Sequence, residues 1–517
     1  MSTRTVVISP APTANGDLHL GHIAGPFLAA DVHTRYARAL GREVLLGTGC
    51  QDTSTFVVTT AHRRGVHPDE LVATSAAQIE STLRTMGIGV DSYTGDDDRF
   101  TGWVVDFIGR LRAAGRLELR TMPFPYSERT GQFLVDGFVS GNCPECLAEG
   151  CAGLCESCGH LVPAGELLNV RSALDPDEPV PLRDARVLVL PVERYHDRLR
   201  THFERHADGM RPHMVQAMAR VLSRPLPDFP VTYPVPWGIK VPFPEVAGQV
   251  VNPNAEAMAW SMHCSALAAE SRGHPPAGED GLWRAGSESE IVYFLGFDNF
   301  YPFAITGPAM LLACDDRYEL PTRYLTNEFY ELDHQKFSTS RGHVVRGRDL
   351  AAEVPRDLIR FYLATTSPEH QRTSFSRDAL SRVTESRLTG PWNRVADRVN
   401  RWVGRGPLPV SARSRHAAAR MSDRFAASYE LPGFSLNRAA EAISEHLARL
   451  DRWPAADDDA GDFCFEVGWL LRSAAPILVD LAAQALGEAA TASTDPAEIT
   501  SVVPVPLPRL AAPRGGR

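Results

Sequence analysis

Two short segments, far apart in the chain, constrain its fold more than anything else in the sequence. They are His19-Leu20-Gly21-His22, within ISPAPTANGDLHLGH, and Lys336-Phe337-Ser338-Thr339-Ser340-Arg341, within DHQKFSTSRGH. The first follows the apolar run Thr5-Val6-Val7-Ile8 and opens a helical pattern, which is where a Rossmann-type sheet grips nucleotide phosphates. Gly21 lets the backbone approach a ligand closely, and His19 and His22 are able to donate to phosphate oxygens. The plainer reading is two histidines decorating a helix start. The second segment sets a lysine among hydroxyls beside a glycine, a group able to clamp a polyphosphate.

The text between and around them alternates strand and helix, then breaks, then resumes. Residues 1–118 read as the first half of a parallel, doubly wound sheet, and residues 231–345 as its second half. Residues 119–230 are short and loop-rich, as expected of an insertion, and contain CPECLAEGCAGLCESCG. Cys143 and Cys146 form one Cys-x-x-Cys and Cys155 and Cys158 another, a spacing that suits tetrahedral zinc; Cys151 between them is read as a spare thiol. Four thiolates leave no open coordination position, so this Zn2+ is expected to be structural. Residues 346–385 form a linker. Residues 386–495 are helical, with apolar residues recurring at three and four positions, as at Leu447 and Leu450 and around Leu470 and Leu471, the pattern of a bundle. The tail, 496–517, is rich in proline and expected to be extended or disordered.

Composition excludes little but directs the metal reading. The chain has 517 residues, enough for several domains, and is 44% hydrophobic and 22% charged, ordinary for a soluble protein. Its formal charge of −10 gives no global attraction to nucleic acid, so any such contact needs a local basic face. No run of about 18 apolar residues and no leader pattern appear, which leads to the expectation of a cytoplasmic protein without a membrane partner. In that compartment nine cysteines, five of them between Cys143 and Cys158, indicate metal and not disulfides.

Together the two segments resemble the HIGH and KMSKS signatures of class I aminoacyl-tRNA synthetases, and the text around them, PWGIKVP included, is similar to methionyl-tRNA synthetases. The resemblance implies an α/β fold with a Rossmann-type parallel sheet, a zinc-knuckle connective insertion and an anticodon-binding helical bundle. It implies an ATP-dependent, AMP-forming ligase assisted by Mg2+, with His19, His22, Lys336, Ser338 and Ser340 as catalytic residues. Nucleotide contacts carry over to Pro10, Gly21, Gly296, Asp298 and Phe337. Gly296 and Asp298 stand where the family's GKD motif admits the ribose; a turn glycine and a solvated aspartate are the alternative. Thr339 replaces the second lysine of the signature, and Arg341 and His343 are candidates for supplying part of that charge.

The departures from the family cluster where the amino-acid side chain is expected. Pro12 is followed by Thr13 in place of the tyrosine that closes over methionine. Gln51 stands at the aspartate that holds the substrate ammonium, and Asp52 takes that role only if the loop shifts by a residue. The aromatic wall becomes Val251-Asn252-Pro253-Asn254-Ala255, its following tyrosine becomes Ala259, and an isoleucine and a histidine align with Asn299 and Phe303. Carboxamides left unpaired beside a thioether cost about 1–3 kcal/mol each, so a polar or smaller amino acid is expected in place of methionine. In the bundle, Asp397 and Arg401 fall where the family has an Asn-x-x-x-Arg pair, with Trp453 at the downstream tryptophan; a solvated aspartate, an ion-paired arginine and a core tryptophan are the alternative.

Three functions follow as expectations. The first is a monomeric, divergent paralogue that passes its aminoacyl group to a small hydroxyl or hydroxylamine acceptor. This is similar to the synthetase part of hydrazine-forming enzymes, and a cupin partner would then be a separate chain. The second is a methionine–tRNA ligase proper. The third is a catalytically silent tRNA-binding paralogue, which the retained His19, His22, Asp298 and Lys336 argue against.

Overall fold

The computed structural model describes residues 4–155, 157–337, 343–487 and 495–511. Its central element is a five-stranded parallel sheet of β1 (Arg4–Ile8), β2 (Val44–Gly49), β3 (Ser92–Thr94), β4 (Ser289–Gly296) and β5 (Arg323–Asn327). The strands lie in the order β5-β4-β1-β2-β3. β1 pairs with β2 on one side, Ile8 facing Gly47, and with β4 on the other, Ile8 facing Tyr293. The chain therefore winds outward twice from β1. The crevice beyond the carboxyl ends of β1 and β4 is the topological switch point where such sheets bind ligands.

Alternation along the strands divides the core. Val6, Ile8, Leu45, Ile291, Tyr293 and Leu295 pack on one face against the helices Asp98–Ala113 and Ala257–Ser271. Val7, Val44, Leu46, Val292 and Phe294 pack on the other against Leu28–Ala39 and Arg356–Thr365. Successive side chains of a strand point to opposite faces, so each face needs its own helical cover. The second cluster is continuous with the apolar faces of the bundle helices Gly390–Asn400, Ala412–Tyr429, Leu436–Arg452 and Ala460–Ala474, so sheet and bundle share one core. Leu447, Leu450, Leu470 and Leu471 are all buried there, as their spacing predicts.

The insertion opens as an antiparallel ladder in which Glu118–Ser127 pairs with Leu182–Leu190, and Phe229–Pro230 closes that sheet. The zinc-knuckle text hangs between the two long strands. Residues after Leu190 rejoin the nucleotide fold: Leu199, Phe203, Met214 and Met218, on His196–His206 and Pro212–Val221, pack into the core beneath β4.

Of the two expectations for the tail, extended or disordered, the described part takes the first. Residues 501–511 run extended along Gly390–Asn400, held by side-chain amides: Asn400 exchanges two hydrogen bonds with the backbone of Leu507 and Asn393 two with that of Leu510, while Trp392 Nε1 donates to the Pro508 carbonyl. Proline supplies the extended backbone and the two asparagines, one heptad apart on the helix, satisfy its amides and carbonyls. No helix among the described residues is long and apolar enough to cross a membrane.

Candidate active site

At the switch point the first signature segment forms a tight, self-capped turn. His19 is extended and caps the helix Leu20–His22, its Nδ1 accepting from the Gly21 amide at 3.1 Å; His22 Nδ1 accepts in return from the His19 amide at 3.3 Å. The two imidazoles stack with centroids 3.9 Å apart, and Phe337 stacks on His19 at 4.7 Å. A Cβ on Gly21 would lie 2.9 Å from the His19 ring and 3.4 Å from Phe337, so only glycine permits this layering. The helix continues through a π turn, Ile23–Phe27, into Leu28–Ala39.

The second signature segment comes to the first. Lys336 lies in a short hairpin strand, Gln335–Lys336, paired with Tyr330–Leu332. Just beyond the signature, the Leu20 amide donates to the Val345 carbonyl, His19 bridges to Arg346, and the Gly347 amide donates to the Leu18 carbonyl. Ser338, Thr339, Ser340 and Arg341 lie outside the described residues. His343, proposed from sequence as a source of charge, binds the Leu332 carbonyl through Nε2 at 2.8 Å.

A cavity of about 350 Å³ fills the space between these segments. Pro10, Pro12, Thr13, His19, Gly21, His22, Gln51, Gly296, Asp298, Asn299 and Phe337 all line it, so eleven of the residues singled out from sequence meet at one place. Gly296 ends β4, and a Cβ there would lie 2.5 Å from Asp298 Oδ1; its absence lets that exposed carboxylate turn toward the strand end. Asn299 Nδ2 donates to the same oxygen at 3.1 Å.

A smaller cavity of about 70 Å³ adjoins it, sharing Ala11, Gln51 and Asn299 as walls. Gln51 is fixed by backbone bonds to Pro12 and Ala14 and by a parallel bridge to Thr13. Asp52 faces only the smaller cavity: Oδ1 accepts from the Cys50 thiol at 2.9 Å and Oδ2 from the Asp96 amide at 2.8 Å. The loop thus leaves Gln51, and not Asp52, at the junction of the two spaces. Asn254, Asn299 and Phe303 also line the smaller cavity.

Asn252, Ala255 and Ala259 line neither cavity. Asn252 is 0% exposed and fully engaged, its Nδ2 donating to the Pro230 carbonyl and its Oδ1 accepting from the Asn254 amide. Ala255 and Ala259 are buried, and the Ala259 carbonyl accepts from Trp103 Nε1. In the bundle, Asp397 accepts two hydrogen bonds from Arg509 of the tail, Arg401 is exposed, and Trp453 packs edge-on against Phe463.

Sequence reasoning missed four members of the site. Asp17 is buried and ties the first segment to its support: Oδ1 accepts from the Leu18 amide and the Thr82 hydroxyl, and Oδ2 pairs with Arg348 at 3.2 Å. Glu256 and Trp260, one helical turn apart, and Asp96 complete the smaller cavity. A glutamate placed before the apolar text AMAWSM was a visible signal; Asp96, in a run of three aspartates, gave none.

The insertion holds a separate cluster. The Sγ atoms of Cys143, Cys146, Cys155 and Cys158 all lie within 4.8 Å of one another, with Cys143–Cys158 at 3.8 Å and Cys146–Cys155 at 3.6 Å. A tetrahedron of sulfurs about 2.3 Å from zinc has edges near 3.8 Å, so the four fit that ion. Disulfides, at about 2.05 Å, are excluded by the same separations. Each knuckle closes identically: Cys143 N donates to Ala148 O and Leu147 N to Cys143 O, while Cys155 N donates to His160 O and Gly159 N to Cys155 O. Cys151 is not one of the four.

The profile of the family described as tRNA synthetases class I (M) matches residues 5–400, which include both signature segments, the sheet and the start of the bundle. The chain belongs to this class I tRNA synthetase family. A methionine–tRNA ligase of Chlorobium limicola is 31% identical over 400 residues, 75% of this chain and 56% of that protein, so this class I chain spans little more than half of that relative. The methionine–tRNA ligase of Aeropyrum pernix is 29% identical over 474 residues, 88% of this chain and 82% of the relative. Among solved structures, Mycobacterium tuberculosis methionyl-tRNA synthetase bound by methionyl-adenylate superposes with a TM-score of 0.75 at 19% identity, over 98% of this chain and 99% of that one. The last likeness concerns the fold of the class I chain, insertion and bundle included.

Proposed function

We propose that the chain is an ATP-dependent ligase that converts an amino acid to its aminoacyl-adenylate, releasing pyrophosphate, and then transfers the acyl group to an acceptor hydroxyl. The observation that carries this reading is the convergence of His19, His22, Asp298 and Phe337 on one cavity at the switch point, beside a second, smaller cavity. The amino-acid carboxylate attacks the α-phosphorus in line and the α–β anhydride bond breaks. The imidazoles of His19 and His22 stand beside the phosphates where charge shifts, and Asp298 accepts from a ribose hydroxyl. Little covalent chemistry is asked of the protein, so its contribution is placement and charge stabilisation. Mg2+ would enter with the triphosphate, bridging its oxygens. Zinc on the four cysteines, closed to further ligands, orders the insertion.

The names of the relatives support tRNA as the acceptor and methionine as the amino acid, and they lend nothing to the hydrazine-forming reading. Two features of this chain support a second reading, a paralogue with a polar amino acid and a small acceptor. Carboxylates and carboxamides line the smaller cavity. Where the family reads an anticodon, the bundle presents Asp397, a carboxylate already held by the tail. Pyrophosphate exchange into ATP across a panel of amino acids, followed by transfer to total tRNA, separates these. Exchange with methionine and charging of tRNA favours the first; exchange with a polar amino acid and no charging favours the second. Exchange with no amino acid would refute the ligase reading.

A further inference from the structure

The smaller cavity is electrically unbalanced. Asp52, Asp96 and Glu256 all line it, and no lysine, arginine or histidine does. Their protein partners are neutral: the Cys50 thiol and an amide for Asp52, the Thr101 hydroxyl for Asp96, and the Thr53 hydroxyl, at 2.7 Å, for Glu256. Glu256 is only 4% exposed and its Oε1 is buried without a hydrogen-bond partner. Trp260, 6% exposed and on the same helical face, carries a second buried orphan, Nε1. Unpaired buried groups of this kind each cost about 1–3 kcal/mol, and more when charged, so an occupant that donates to Glu256 would recover part of that cost. Burial, foremost, and mutual repulsion push the carboxyl of Glu256 well above its ordinary range, and burial raises Asp52 and Asp96 as well. No basic side chain of the lining offsets these carboxyls, so in the empty cavity burial favours their protonated, neutral forms, and a cation would draw them back to carboxylates.

Resting on the proposed ligase activity, we infer that the smaller cavity receives the side chain of an amino acid ending in a protonated amine. Three carboxylates supply acceptors for an ammonium's three N–H donors, and Phe100, Trp260 and Phe303, which also line the space, suit its methylene stem. Position fixes which part of the substrate lies here: the cavity meets the nucleotide space only through Ala11, Gln51 and Asn299, so the reacting carboxylate lies at that junction and the side chain beyond it.

Calorimetric binding to the full chain, without nucleotide, tests this with lysine, ornithine, 2,4-diaminobutyrate, glutamine, glutamate and methionine. At least one of the three diamino acids is expected to bind tenfold or more tightly than glutamine or methionine, and Glu256→Gln to erase that preference while far-ultraviolet circular dichroism stays unchanged. Equal binding across the panel would assign the carboxylates to the common α-ammonium and overturn the inference, as would tightest binding of methionine, glutamine or glutamate. Asp96→Asn, further from the helix core, provides a second variant with the same expected loss. Pyrophosphate exchange on the same panel addresses the ligase reading separately: silence there with a retained binding preference would refute the ligase and leave the cavity's selectivity standing.

Discussion

Replacing Arg360 by methionine is expected to loosen the joint between the nucleotide sheet and the bundle. The guanidinium is 0% exposed and serves five acceptors: Asp31 Oδ2 at 2.6 Å, the carbonyls of Pro476 and Ile477 at 2.7 and 2.9 Å, and those of Met86 and Gly87 at 3.1 and 3.2 Å. It thus joins the helix that begins at His19, the end of Pro68–Thr85, and the turn before Val479–Leu486. Removing one partner of a buried ion pair costs about 3–5 kcal/mol, because the other charge is left uncompensated. Asp31 keeps Arg35 and the Gly89 amide, which places the cost near the lower bound, whereas orphaning the Pro476 and Ile477 carbonyls adds to it. About 4 kcal/mol corresponds to roughly a thousandfold faster opening, at 1.36 kcal/mol per factor of ten. Native-state hydrogen exchange at amides of Arg356–Thr365 and Val479–Leu486 reads this directly. With Asp31→Asn the double variant should show a coupling of at least ~1.5 kcal/mol. Acceleration below tenfold in Arg360→Met, or additive effects in the double variant, would refute the argument.

Three further outcomes follow. His22→Ala should slow amino-acid activation at least tenfold, about 1.4 kcal/mol of barrier, and a rate within twofold of the parent would remove His22 from the site. Purified protein should carry about one zinc per chain by atomic absorption. Cys158→Ser should release it and expose the 119–190 region to protease; a metal-free but protease-resistant parent would contradict the zinc assignment. Burial, foremost, pushes His202, His213 and His446 down to about 4, so between pH 6.5 and 4 the unfolded chain binds protons that the folded chain does not. Stability should therefore fall as pH drops through that window, and His202→Gln should flatten part of the slope in thermal unfolding; a midpoint independent of pH there would sink the linkage.

Local patterns made much of this molecule readable in advance. The run Thr5–Ile8 with HLGH behind it announces a strand-to-helix phosphate turn because both cues lie close together, within residues 5–22, and the paired Cys-x-x-Cys units close upon themselves. The smaller cavity was harder. Asp52, Asp96 and Glu256 come from three segments, and nothing in their spacing tells that burial gathers them; attention to carboxamides led to Asn254 and Asn299, which line it, but also to Asn252, whose amide is spent on the Pro230 carbonyl and the Asn254 amide. Arg360 falls in the stretch read from sequence as a linker; the structure makes that stretch largely helical, and the turns around Gly87 and Ile477 meet the Arg360 side chain on Arg356–Thr365. In the tail, proline content left extended and disordered chain both open, and two asparagines on another helix decided its path.

The position of β1 between β2 and β4 has a consequence for biogenesis. One side of this strand is complete once the ribosome has made Gly49, but its other neighbour begins only at Ser289. For the whole interval the nascent chain carries an unpaired, apolar ribbon edge, open to pairing with any other extended segment. Fragments ending before Gly296 should for that reason aggregate, and a chaperone acting during synthesis would be needed most over that stretch.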